Sequence, residues 1–91
     1  MTDKTKTLAV TVLSPEEILY QGSALSVSSE NYAGKFDILP KHASFLTFIN
    51  NHPIEIVKVD QTKKTFNFDQ GIIYIKDNIV KIYTKPQLVS I

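Results

Sequence analysis

The chain contains no cysteine and no arginine among its 91 residues, and only three glycines. Without cysteine there is no disulfide, no thiol nucleophile and no thiolate-ligated zinc, a usage compatible with a reducing compartment. Without arginine the chain lacks the side chain best suited to bidentate phosphate and guanine contacts. Its ten lysines are scattered among nine acids, giving a net charge of +1. That balance argues against a nucleic-acid binder. Lys63-Lys64 is the only basic pair, and a polar hairpin turn explains it. The glycines lie far apart, so no glycine-rich loop is available to cradle a phosphate. No apolar run approaches the length of a membrane-spanning helix, and Met1 to Lys6 lead into no signal-peptide core.

What remains is an ordinary globular composition, 43% hydrophobic and 21% charged. The length suffices for one two-layer domain and not for two. The apolar pattern is mostly of period two, the signature of strands. Strands are expected at Leu8 to Leu13, Ile18 to Gln21, Leu25 to Ser29, Phe36 to Leu39 and Phe45 to Ile49. More follow at Ile54 to Val59, around Phe66 and Phe68, at Ile72 to Ile75 and at Ile79 to Thr84. Turn residues separate them: Ser14-Pro15-Glu16-Glu17, Gly22, Asn31 to Gly34, Asn50 to Pro53, Asp60 to Lys63, Gln70-Gly71 and Asp77-Asn78. About nine short strands at this spacing point to an all-β sandwich or barrel. Ser14 could cap a helix with Glu17 three residues on, but Gly22 leaves room for barely one turn. The end, Lys85 to Ile91, is apolar for a free tail and is expected to pack on the domain or add to a sheet edge.

The search for reactive chemistry yields little. His42 and His52 each lie beside a proline-containing turn, with no zinc-motif spacing. Both read as loop histidines bonded locally. No Gly-x-Ser-x-Gly elbow is present. Glu16 and Glu17 are adjacent, so on a strand they would point to opposite faces; they read as a solvated turn. Tyr20, Tyr32, Tyr74 and Tyr83 could stack on bases or sugars, yet on alternating strands they fit core or cross-strand pairs. By elimination the chain is an interaction or structural module, without cofactor, metal site or catalytic residue.

The most distinctive segment is Gly34-Lys35-Phe36-Asp37-Ile38-Leu39-Pro40-Lys41-His42-Ala43-Ser44-Phe45-Leu46-Thr47. Pro40 fixes its own φ and drives Leu39 to be extended, so a rigid corner joins two apolar runs. This segment resembles the signature of the epsilon subunit of F-type ATP synthases, Gly-Glu-Phe/Leu-Gly-Ile-Leu-Pro-Gly-His-Ala-Pro-Leu-Leu-Thr. The flanks agree in order: Val10 to Glu16, Ile18 to Gly22, Ile54 to Val57, Gln70 to Ile75 and Val80 to Tyr83. The resemblance covers residues 7–84.

The resemblance implies a flattened, two-sheet, mainly antiparallel β-sandwich of nine to ten strands. Residues 1–6 would form a flexible lead, 7–84 the sandwich and 85–91 a short apolar tail. It also implies a non-catalytic rotor subunit that links gamma to the c-ring and supports coupling of proton or sodium flow to ATP synthesis. Such a subunit is peripheral, on the cytoplasmic side of the membrane, and touches the membrane only through the complex. By the same resemblance Lys35, Asp37, Lys41 and His42 belong to a loop facing the c-ring, and Ser14, His42 and Thr47 face gamma. Lys35 stands where the family has an acid, so the partner ring loop is expected to have lost its usual positive charge. Asp37 and Lys41 replace motif glycines, so either no positive backbone angle is needed there or the loop differs locally. Ser44 replaces the motif proline. Family members usually continue into a C-terminal helical hairpin. None fits before Ile91, so neither nucleotide binding nor inhibition of ATP hydrolysis is expected; the starting Met1 and the non-family ending Gln87 to Ile91 favour a naturally short form over a truncated chain. The competing reading is a stand-alone sandwich that binds carbohydrate or peptide through its tyrosines or a sheet edge.

Overall fold

The computed structural model describes residues 6–85, and every regular element in that range is a strand. The expected flexible lead and apolar tail fall largely on residues 1–5 and 86–91, outside the described residues. The strands are β1 (Leu8–Leu13), β2 (Ile18–Asn31), β3 (Gly34–Ile38), β4 (Phe45–Asn50), β5 (Ile54–Lys58), β6 (Lys63–Phe66), β7 (Gln70–Lys76) and β8 (Ile79–Lys85). They are hydrogen-bonded in the order β4-β7-β8-β1-β2-β5-β6, with β3 also paired to β2. Every pairing is antiparallel except β1 with β8.

The sandwich arises because β2 serves both layers. Its first half pairs with β1, from Leu13↔Ile18 to Leu8↔Ala24. Its second half pairs with β3 on one side and β5 on the other. The register with β5 slips between Ala24 and Ser26, a bulge of the kind that lets one strand bend from layer to layer. One layer is therefore β4-β7-β8-β1 with the start of β2. The other is β3, the end of β2, β5 and β6. The two layers are one continuous sheet, curled on itself.

The interior is aliphatic and follows the period-two pattern. Val10, Val12, Ile73, Ile75, Val80 and Ile82 from the first layer meet Val27, Ile38, Ile54 and Ile56 from the second. Two contacts tie the layers at the β3–β4 side: Phe36 packs edge-on against Phe45 at 5.5 Å, and Asn31 Nδ2 donates to Thr47 Oγ1 at 3.0 Å. At the opposite side Tyr20 meets Phe66 edge-on at 6.3 Å.

Two expected breaks are absent. Gly22 lies inside β2, opposite Val10, and Gly71 lies inside β7 between Ile49 and Thr84. A glycine weakens a strand but does not end one that is paired on its neighbours. The first merger turns two expected strands into one of 14 residues, which accounts for eight strands rather than nine. Ser14 caps a turn only: its hydroxyl accepts from the Glu17 and Glu16 amides at 3.1 and 3.3 Å, and no helix follows.

Candidate functional site

The two outer faces of the sandwich differ in chemistry. On the β2-β3-β5 layer the outward side chains are polar. Lys35 lies opposite Glu30, Asp37 opposite Ser28, and Ser28 opposite Glu55. The Ser28 hydroxyl donates to Asp37 Oδ1 at 2.5 Å, and Lys63 pairs with Glu55 at 3.7 Å. The face thus carries three acids, Glu30, Asp37 and Glu55, against two lysines, Lys35 and Lys63.

On the β4-β7-β8-β1 layer one outward row is apolar, flanked by Thr11, Lys76, Lys81 and Lys85. The register aligns Phe48, Ile72, Tyr83, Leu13 and Ile18 in one row across five strands. The next row is Leu46, Tyr74, Lys81 and Thr11. Phe48 is 68% exposed, Leu46 and Ile18 are 56%, and Tyr83 is 45%. Isolated exposed apolar residues are ordinary, but an aligned row of them marks an interaction surface. The alternation explains how the strand run Ile72-Ile73-Tyr74-Ile75 divides: Ile73 and Ile75 are buried, whereas Ile72 and Tyr74 face out. A strand covered on both faces reads as a continuous apolar run.

The corner between β3 and β4 is a hydrogen-bonded turn. The His42 amide donates to the Leu39 carbonyl at 3.1 Å, and Lys41 has φ +69°. Proline second and a positive φ third is the pattern of a type II turn, where glycine is preferred. Lys41 therefore keeps the backbone angle of the glycine it replaces, while Asp37, paired regularly within β3, does not. The Lys41 amide donates to Asn78 Oδ1 at 2.6 Å, and the Asn78 carbonyl accepts from the Ala9 amide at 2.9 Å. Asp77 and Asn78 have φ +52° and +63°, the pattern of a two-residue type I′ hairpin turn. Corner, β7–β8 turn and β1 thus meet at Asn78. The His42 Nδ1 lies 2.7 Å from the Ala43 carbonyl, and its ring packs at a tilt on Phe45 at 5.6 Å. The imidazole braces its own loop.

The singled-out residues do not form one cluster. Lys35 and Asp37 lie on the outer face of β3, while Lys41 and His42 lie in the turn beyond its end. Ser14 follows the end of β1 near Thr84, whose hydroxyl donates to the Leu13 carbonyl at 3.0 Å. His42 is at the other end of the sheet, beside the β7–β8 turn. Six strand residues separate those ends, about 20 Å. Thr47 is 6% exposed and its hydroxyl is held by Asn31, so its side chain cannot face a partner. The outward positions of β4 are Leu46 and Phe48. Sequence reading passed over them and the row they belong to. The available signal was that both parities of Phe45 to Ile49 are apolar, which a strand with one solvated face does not require.

Tyr32 stands fully exposed at the tip of the β2–β3 hairpin. Asn31 stiffens that tip: its Oδ1 accepts from the Ala33 amide at 2.9 Å while its Nδ2 reaches Thr47. Gly34 closes the hairpin with φ +123°.

Comparison with known proteins gives this geometry a family. The model of the ATP synthase delta/epsilon chain β-sandwich domain matches residues 7–86. The chain is 39% identical over 77 residues to the ATP synthase epsilon chain of Leptospira borgpetersenii, covering 85% of this chain and 60% of that one. It is 33% identical over 72 residues to the epsilon chain of Nitratiruptor sp., covering 79% and 56% respectively. It therefore spans about 60% or less of the length of these curated relatives. A chain in the mitochondrial ATP synthase of Euglena gracilis shares the fold at a TM-score of 0.81 and 16% identity, over 87% of this chain and 51% of that one. A chain in the central stalk and c-ring structure from Tetrahymena thermophila does so at 0.72 and 20%, over 92% and 66%. An all-strand sandwich, the Pro-turn corner and the matched span agree: the chain belongs to the ATP synthase delta/epsilon chain β-sandwich domain family.

Proposed function

We propose that this chain is a non-catalytic central-stalk subunit of an F-type ATP synthase, seated between gamma and the c-ring on the cytoplasmic side of the membrane. The observation that carries the reading is the aligned apolar row from Phe48 to Ile18 on an otherwise soluble, family-typical sandwich. A stable subunit interface is broad and rather apolar, and this face has that character. A part that transmits torque gains from stiffness, which a close-packed aliphatic interior supplies. His42, the one motif residue with catalytic potential, has a ring nitrogen beside its neighbour's carbonyl and serves its loop.

In this proposal gamma covers the apolar layer, with Leu46 and Phe48 replacing Thr47 as the contacting residues of β4. The polar layer, with Lys35 and Asp37, meets the c-ring loops. Glu30, Asp37 and Glu55 outnumber Lys35 and Lys63 on this face by one charge, so the ring loop is expected to keep a positive charge rather than lose it. Lys41 and His42 stiffen the corner more than they dock it.

The test is purification of the detergent-solubilised synthase from the source cells. The chain is expected at one copy per gamma. Phe48→Asp and Tyr83→Asp should fold normally yet be lost from the complex. Absence of the unaltered chain from such a preparation overturns the assignment.

A further inference from the structure

We infer that the free edge of β4 is a self-complementary pairing site for a second copy of this chain. Among the described residues β4 pairs with β7 alone, so it ends the sheet with one edge unpaired. An edge strand invites pairing with another chain unless charge, proline or a cover prevents it. The opposite terminal strand, β6, carries Lys63 and Lys64. β4, Phe45-Leu46-Thr47-Phe48-Ile49-Asn50, has neither charge nor proline.

Its sequence is also nearly symmetric about Thr47. An antiparallel twofold pairing centred there sets Thr47 against Thr47 of the second copy. Leu46 then faces the second copy's Phe48 on the outer side, and Phe45 faces its Ile49 on the inner side. Both Leu46 pairs and both Phe45 pairs are apolar, and neither brings like charges together. An interface of this kind is isologous, with one patch serving both copies. Cross-strand aromatic–aliphatic pairs add favourable contact in each layer. This register sets Phe48, the end of the outer apolar row, against the second copy's Leu46, the end of the neighbouring row that continues through Tyr74. The pairing uses the backbone edge of β4 and does not depend on the proposed rotor role.

The experiment is sedimentation equilibrium of the purified full chain from micromolar to millimolar concentration, with folding of each variant checked by far-UV circular dichroism. The unaltered chain is expected to dimerise with concentration. Phe48→Lys and Leu46→Glu, each folded, should weaken that dimer at least tenfold, since each homodimer then holds two mismatched pairs. An equimolar mixture of the two variants should associate again, because Glu at 46 of one copy meets Lys at 48 of the other. A chain that stays monomeric at millimolar concentration overturns the inference. So does a dimer that survives Phe48→Lys, or a mixture that does not associate.

Discussion

Replacing Gly34 by alanine isolates the energy of one backbone angle. Gly34 has φ +123°, and a methyl group built on it meets nothing within 4 Å. No clash contributes, so the cost is conformational. Holding an L-residue in that region costs about 1–3 kcal/mol. Alanine also stiffens the unfolded chain, which returns about 0.4–1 kcal/mol. The expected net loss for Gly34→Ala is therefore about 1–2 kcal/mol. The other two glycines are built-in controls. At Gly71 the added methyl would lie 3.2 Å from the Tyr83 carbonyl, which belongs to a paired strand and yields little, so overpacking of about 1 kcal/mol is expected. At Gly22 the near atom is the Tyr20 hydroxyl at 3.2 Å, the movable end of a side chain, so Gly22→Ala should stay within about 0.5 kcal/mol. The assay is urea unfolding followed by far-UV circular dichroism; with no tryptophan and four tyrosines, tyrosine emission gives a second probe. With a urea slope of about 1–1.5 kcal/mol per molar, Gly34→Ala moves the midpoint down by roughly 1 M. D-alanine at position 34, introduced by ligation, favours the mirror-image angles and should restore the midpoint or raise it. Wild-type stability of Gly34→Ala, or a loss smaller than that of Gly22→Ala, would refute the reasoning.

The remaining predictions concern the corner, the face and one carboxylate. Lys41→Gly should raise stability by about 0.5 kcal/mol, as relief of the left-handed angle outweighs the entropy of glycine, whereas Lys41→Val should lower it by more than about 1 kcal/mol; thermal melts compare the two. Asn78→Gly keeps the hairpin angle but removes the acceptor of the Lys41 amide, for a loss of about 1 kcal/mol, and the loss should persist in the Lys41→Gly background. Ile82→Ala in the core should cost about 2–5 kcal/mol, while Phe48→Ser on the outer face should cost under about 1; equal losses would mean that Phe48 is a core residue. The Thr62 hydroxyl and amide, donating to Asp60 Oδ1 at 2.5 and 2.9 Å, hold the Asp60 carboxyl below its usual value. Its small stabilising contribution is present above the ordinary aspartate range and fades as pH falls through the lowered value. An NMR titration should show Asp60 ionising at lower pH than a free aspartate, and Thr62→Val should move it back up.

Legibility followed the range of the interaction involved. Strand existence was readable because parity is local: Val10 and Val12, Val80 and Ile82, and Ile54 and Ile56 repeat every second residue whatever they pack against. The Asp77-Asn78 turn was readable because a positive φ favours those residue types. The merger of Ile18 to Asn31 into one strand was not readable. Gly22 breaks the local pattern, and only its pairing with Val10 on β1 keeps the strand running. Likewise nothing local signals that the Lys41 angle is supported by Asn78, 37 residues away in the chain.

Residue types and short spacings were enough to set the class, all-β, and to supply a Pro-turn corner specific enough to name a family. Which apolar residues form the core and which form a surface came from the assembled sheet alone, because that division depends on register between strands far apart in the chain. The same registers turned Thr47 inward, set Lys35 among three acids and lined Phe48 up with Ile18.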